Sequence, residues 1–168
     1  MMMQTSNKIL INLQLQQLQL FSGDEVLKSY SISTALNGPG EQQGSECTPR
    51  GLHRIRIKIG AGCPERAVFV GRRFSGEVYT PEELGRQYPD RDWVLSRILW
   101  LTGLEPGRNR GGKVDSLRRY IYIHGCPGSE PMGEPRSHGC IRMRNSELIE
   151  LFNLVEVGTL VDVREDDT

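Results

Sequence analysis

The sequence has no excess of charge: Lys plus Arg number 21, Asp plus Glu number 21, and the formal net charge is +0. That balance excludes a global field drawing the chain to nucleic acid or to an anionic membrane. Long apolar runs are also missing. No window approaches the ~18 consecutive apolar residues of a membrane helix, and no lipidation motif is present. Residues 1–20 carry one basic side chain, Lys8, and their apolar residues alternate with glutamines. A secretory signal has an unbroken apolar core instead. These absences predict a cytoplasmic protein without a membrane partner. The four cysteines, Cys47, Cys63, Cys126 and Cys140, form no CxxC pair. In a reducing compartment they are expected as free thiols, and their spacing suggests no disulfide framework. Internal repeats are absent, and aromatic residues are only 7%. Sparse aromatics weigh against reading the basic strand face of Arg54, Arg56 and Lys58, with Arg72 and Arg73, as a nucleic-acid surface.

What is present reads as one β-rich domain over residues 1–168, with its core at about 8–163. A chain of 168 residues buries roughly 70% of its unfolded surface, enough for a core without staples. Ile9, Ile11, Leu13 and Leu15 alternate with polar residues, as on a half-buried strand. Gln16-Gln17 breaks that phase, so a bulge or tight bend is expected there. Ser22-Gly23-Asp24 then turns residues 16–21 and 25–32 into a hairpin. Residues 36–49 read as a long loop. Ile55, Ile57 and Ile59 alternate with Arg54, Arg56 and Lys58, giving a strand with one apolar and one basic face. Further strands are expected at 66–74 and 120–124, with 94–101 a strand or a helical turn and 105–113 a loop.

Helices are few. Thr80-Pro81-Glu82-Glu83 is a helix start cut short by Pro89. Asn145 or Ser146 is expected to cap a second helix, with Glu147 in its first turn. Leu148, Leu151, Phe152 and Val155 form its core stripe. Residues 160–163 close the chain as a strand, and 164–168 are expected to fray. The fold class is therefore mainly β, a sandwich or partly closed barrel with one or two short helices.

The chemistry concentrates in one stretch. His124-Gly125-Cys126 ends a strand; a Pro/Gly-rich loop follows; then comes Ser137-His138-Gly139-Cys140-Ile141-Arg142. A thiol with an ordinary pKa near 8.5 is mostly protonated at neutral pH, so a nucleophilic cysteine needs an imidazole base. A strand end holds such a base rigidly. Gly139 permits a backbone path that could aim the N–H groups of Gly139 and Cys140 at an oxyanion. Ser137 and Arg142 could hold polar or carboxylate parts of a substrate.

The segment from Ile123-His124-Gly125 to Ser137-His138-Gly139-Cys140-Ile141-Arg142-Met143 resembles the signature of the L,D-transpeptidase (YkuD-like) catalytic domain. Thr48-Pro49-Arg50-Gly51 is similar to that family's Thr-Pro-x-Gly segment. The resemblance implies an L,D-transpeptidase-like domain with Cys140 as nucleophile and His124 as general acid/base. It implies that the Gly125 carbonyl orients the imidazole and that His138 and Arg142 shape the site. It further implies a peptidoglycan-derived muropeptide substrate, cut between meso-diaminopimelate and D-alanine through a thioester, with no cofactor and no metal. A cytoplasmic chain meets recycled wall peptides, which favours hydrolysis, an L,D-carboxypeptidase of peptidoglycan recycling. The alternative is a transpeptidase that cross-links or exchanges D-amino acids. A reading of another class is a zinc-stabilised binding module, with His124, Cys126, His138 and Cys140 as ligands. Cys126, two residues after His124, reads as a packing residue. Trp93 and Trp100 read as core or lid residues.

Overall fold

The computed structural model describes residues 7–166. Ten strands carry the fold: β1 (Asn7–Asn12), β2 (Gln17–Ser22), β3 (Glu25–Ser31), β4 (Gly51–Ile59) and β5 (Ala67–Val70). After them come β6 (Arg73–Val78), β7 (Leu95–Gly103), β8 (Tyr122–Gly125), β9 (Ile141–Met143) and β10 (Leu160–Arg164). One α-helix, α1 (Asn145–Leu154), and short helical turns at Pro81–Gly85 and Gly112–Val114 complete it. The strands form one open, ten-stranded sheet in the order β3-β2-β1-β10-β4-β7-β5-β6. It branches at β7, which also pairs with β8, and β8 pairs with β9 in parallel. The mainly β expectation with few helices holds, and the sheet is not closed.

The local reasons are legible. The N-terminal alternation ends in a full reversal, because Gln16 takes φ 52°. Its side chain fixes the turn, donating to Leu13 O and Thr34 Oγ1 at 2.7 Å each and accepting from Thr34 N at 2.8 Å. Leu15 therefore lies exposed at the tip and off the expected apolar face. The β2–β3 hairpin turns at Gly23, as expected. The single strand expected over 66–74 is instead two, since Gly71 and Arg72 take φ 56° and 67° and reverse the chain between β5 and β6. Two successive positive φ values match the twist of a tight hairpin. Segment 94–101 resolves as β7, and β8 begins only at Tyr122, since Tyr120 is exposed with φ 58°.

The helix α1 lays Leu148, Leu151 and Phe152 on the core, with Val155 just past its end. They meet Ile9, Ile11, Leu18, Leu20, Ile123 and Ile141 in the main cluster. The expected cap is not made by Asn145. Arg144 is the N-cap residue and provides no side-chain capping bond. Asn145 is held elsewhere, donating to Cys126 O at 2.9 Å and accepting from Ser96 Oγ at 2.7 Å. The basic strand face is partly structural. Lys58 Nζ donates to Phe152 O and Val155 O at 2.6 and 2.7 Å, and Arg54 donates to Gly158 O at 2.8 Å. The two Lys58 bonds satisfy carbonyls that the end of α1 leaves open. The chain does not fray at 164: Arg164 belongs to β10, and Glu165 O accepts from Gln14 N at 2.9 Å. Of that expected tail, residues 167–168 lie outside the described residues, as do residues 1–6 of the N-terminal strand pattern.

Candidate active site

The β8–β9 pair sets the site. In this parallel pair Ile123 faces Ile141 and His124 faces Arg142. Side chains alternate between the faces of a strand. Ile123 and Ile141 point into the core and are wholly buried. Tyr122, His124 and Arg142 therefore share the opposite face, and Cys140, two residues before Arg142, falls on it too. The Cys140 thiol seats against the backbone just ahead of β8. Its sulfur accepts from Tyr122 N–H at 3.4 Å and its S–H donates to Tyr120 O at 3.3 Å. The thiol and the imidazole thus occupy one face of adjacent segments, one two-residue step apart.

His124 is almost fully buried, and its Nδ1 lies 2.7 Å from Gly125 O. A carbonyl oxygen only accepts, so Nδ1 carries the proton and Nε2 keeps a lone pair. Burial holds the imidazole pKa below its usual value, against the pull of the Gly125 carbonyl and the Asp92 carboxylate. Gly125 has no room for a side chain: a Cβ there would meet the Asn145 side chain and come within 2.7 Å of Leu95 O.

The Ser137–Cys140 turn is closed from within. Ser137 Oγ donates to Cys140 O at 2.6 Å and accepts from Gly139 N–H at 3.3 Å. Ser137 is buried, so its hydroxyl is occupied by the turn and does not face a substrate. Gly139 takes φ 132°, the unusual path expected of it, but its N–H is engaged by Ser137 rather than aimed outward. Thr48, wholly buried, donates to Gly139 O at 2.9 Å and accepts from Ala35 N at 3.0 Å. On the other side of β9, Ser33 exchanges backbone bonds with Arg142 at 2.8 and 3.0 Å. Burial pushes the Cys140 thiol up to about 11, and Asp92 adds to it, while the Tyr122 N–H and the charges of Arg142 and Arg119 pull the other way. Burial thus favours the neutral form of each group.

Asp92 is the polar hub that sequence reasoning missed. Its carboxylate accepts from Arg142 at 2.9 Å and lies 3.2 Å from His138 Nδ1. Desolvation would raise its pKa, yet His124, Arg142 and His138 hold it below the ordinary carboxylate range. Arg142 is buried and reaches Glu130 at 3.3 Å with its other nitrogen. Its two terminal nitrogens are thus engaged by carboxylates, while its buried Nε has no hydrogen-bond partner among the described residues. His138 is brought to the site only through Asp92 and is otherwise exposed. Nothing in the loop of Asp90, Arg91 and Asp92 marks the last of these in the sequence. Arg119, also unnoticed, donates to Gly40 O, Glu41 O, Ser45 Oγ and Cys47 O.

Cys126 is buried, its thiol directed at Met143 O at 3.7 Å and pushed up to about 11 by burial. It packs as expected. No group of three or more His, Cys, Asp or Glu among the described residues could hold a metal ion, so the zinc tetrad is not assembled. Trp93 is a core residue against Tyr79, and Trp100 is half-buried beside Tyr120 and Tyr122. No helix among the described residues is long and apolar enough to cross a membrane.

Comparison with known proteins identifies the family. The family model of the L,D-transpeptidase catalytic domain (YkuD) matches residues 6–163. The putative L,D-transpeptidase YqjB of Bacillus subtilis is 44% identical over 49 residues, 29% of this chain and 28% of that protein. The putative L,D-transpeptidase YkuD of the same organism is 41% identical over 61 residues, 33% of this chain and 37% of that protein. Among solved structures, Bd1075 of Bdellovibrio bacteriovorus superposes with a TM-score of 0.59 at 15% identity, over 96% of this chain and 49% of that one. A mutant of the Enterococcus faecium L,D-transpeptidase gives 0.57 at 20% identity, over 95% and 50%. The matched regions thus span about a third of those curated relatives and about half of those solved chains. With the family match running over nearly its whole length, the chain belongs to the L,D-transpeptidase catalytic-domain family.

Proposed function

We propose that this protein is a cysteine acyltransferase that opens the amide between the L-centre of meso-diaminopimelate and D-alanine in peptidoglycan stem tetrapeptides. The observation that carries this reading is the placement of Cys140 and His124 on one face of the β8–β9 pair, with the Nε2 lone pair of His124 left available by the Nδ1 bond to Gly125 O. The printed names of the relatives, L,D-transpeptidases, support the substrate class.

The steps follow from the protonation states. The thiol enters neutral, so its proton passes to His124 Nε2 as the sulfur attacks the carbonyl carbon. The developing oxyanion lies over the Ser137–Cys140 turn. Collapse breaks the C–N bond, and the His124 imidazolium gives its proton to the departing amine of D-alanine. A thioester on Cys140 remains. His124 then takes a proton from the acceptor that attacks it, and the sulfur leaves as thiolate and is reprotonated. Asp92 stabilises the imidazolium formed midway, since its charge raises the His124 pKa. Water as acceptor gives a tripeptide and defines an L,D-carboxypeptidase; an amine gives an exchanged or cross-linked peptide and defines a transpeptidase.

The test is mass spectrometry of protein and products after incubation with a disaccharide tetrapeptide, with and without an added D-amino acid. A mass gain on Cys140 with release of D-alanine is expected. Tripeptide alone marks hydrolysis; exchange product marks transfer. Turnover that survives Cys140→Ala would sink the reading.

A further inference from the structure

We propose that Arg72, with Trp100, Tyr120 and Tyr122, forms a subsite that binds a carboxylate of the donor peptide whose carbonyl Cys140 attacks. The inference rests on the reading of Cys140 as the nucleophile and names the group that holds the substrate beside it.

The placement comes from the β5–β6 hairpin. Its tip, Gly71-Arg72, reverses with two positive φ angles, and every residue of β6 is exposed. Arg72 reaches back from that tip over the aromatic cluster. Its guanidinium carbon lies 4.9 Å from the Tyr120 ring centroid and 5.1 Å from that of Trp100. The three rings form one box, with centroids 5.7 Å apart for Trp100–Tyr122, 6.0 Å for Trp100–Tyr120 and 6.5 Å for Tyr120–Tyr122. The backbone of Tyr120 and Tyr122 is also what holds the Cys140 sulfur, at 3.3 and 3.4 Å. The cation is therefore carried by the same two residues that flank the thiol.

Charge accounting singles Arg72 out. Arg142 is paired with Asp92 and Glu130. Arg119 is spent on three backbone carbonyls and a hydroxyl. Arg72 makes no ion pair among those found in the described residues and meets no carboxylate within 4.0 Å. Stacking uses the face of a guanidinium and leaves its in-plane N–H donors for a ligand. A planar fork with open donors is the shape that takes a carboxylate bidentately. The tetrapeptide offers one such group on the terminal D-residue, next to the scissile amide, and another on the far centre of the diamino acid.

The experiment compares kcat/KM for three peptides: the free tetrapeptide, its terminal carboxamide, and the peptide amidated on the diamino acid instead. Wild type, Arg72→Lys, Arg72→Gln and Lys28→Gln, on the edge strand β3, are assayed on each. Wild type is expected to prefer a free carboxylate about tenfold, mainly through KM. Arg72→Gln erases that preference, Arg72→Lys keeps part of it, and Lys28→Gln leaves it intact. Whichever amidation reproduces the Arg72→Gln defect identifies the carboxylate held. A wild-type preference retained in Arg72→Gln, or an equal loss on all three peptides, overturns the proposal. Calorimetric binding of the free tetrapeptide to Cys140→Ala protein, with and without Arg72→Gln, reads the subsite without turnover. Equal affinities there overturn it even if the catalytic reading itself has failed, and weaker binding in the double variant supports it.

Discussion

Thr48 Oγ1 donates to the carbonyl of Gly139 at 2.9 Å across a sequence separation of 91 residues. The bond pins the turn before Cys140 from a loop remote from it in sequence. It accounts physically for a Thr-Pro-Arg-Gly turn in a chain whose reactive residues all lie beyond position 120.

Thr48→Val should therefore keep the shape of the buried site but lose both bonds of the hydroxyl. Two buried groups, Gly139 O and Ala35 N, are left without it. The expected cost is about 1–3 kcal/mol per unsatisfied group, visible as a lower midpoint in denaturant unfolding. Activity should fall further than stability explains, because the Gly139 path is loosened. Unchanged turnover with unchanged stability would remove Thr48 from the site.

The pH dependence of Cys140 alkylation follows from its environment. Burial first, then Asp92, holds the thiol at about 11. Only the thiolate reacts, so the rate of iodoacetamide labelling should climb about tenfold per pH unit from 6 to 9 without levelling. A plateau below pH 7 would instead mean a resting thiolate–imidazolium pair. Cys126→Ala should leave Cys140 labelling and turnover intact, since the Cys126 thiol faces Met143 O in the interior.

Gly125→Ala is expected to damage both fold and site. The new methyl meets the Asn145 side chain and sits 2.7 Å from Leu95 O, so β7 and α1 must part from β8. Overpacking of this kind costs about 1–3 kcal/mol. The Gly125 carbonyl that fixes the His124 tautomer shifts with it. Thermal unfolding and kcat should fall together; a variant with full stability and full kcat would contradict the account.

Acid should weaken the fold through His53. This wholly buried imidazole lies 3.0 Å from Gly51 O and 2.8 Å from Ser116 Oγ. Burial lowers its pKa from 6.5 to about 4. The unfolded chain thus binds a proton that the folded one refuses between those values. The stability is fully present above pH 6.5 and is lost as pH falls toward 4, by about 3 kcal/mol at the limit. Denaturant midpoints at pH 7 and pH 4.5 should differ more in the parent than in His53→Asn. An equal acid loss in both would assign the effect elsewhere.

Period and punctuation in the sequence carried much of the fold. Alternating isoleucines announced β4, the turn at Gly23 announced the β2–β3 hairpin, and Leu148, Leu151, Phe152 and Val155 announced α1. The bend expected at Gln16-Gln17 is there, whereas Arg72 and Tyr120 take positive φ values without being glycine, so residue type did not flag the turns they make. Asn145 has the chemistry of a cap, yet a tertiary bond to Cys126 O outcompetes the helix end for it.

For the site, local chemistry was sufficient to nominate a thiol, a base and a glycine turn, because nucleophile and imidazole lie close along the chain. It could not nominate Asp92, Thr48 or Arg72. Their roles exist only once β8 and β9 align in parallel and distant loops close over them. Sequence decided which groups could react; packing decided their surroundings. Burial, a property of the assembled sheet, pushes the Cys140 thiol up and holds the His124 imidazole down.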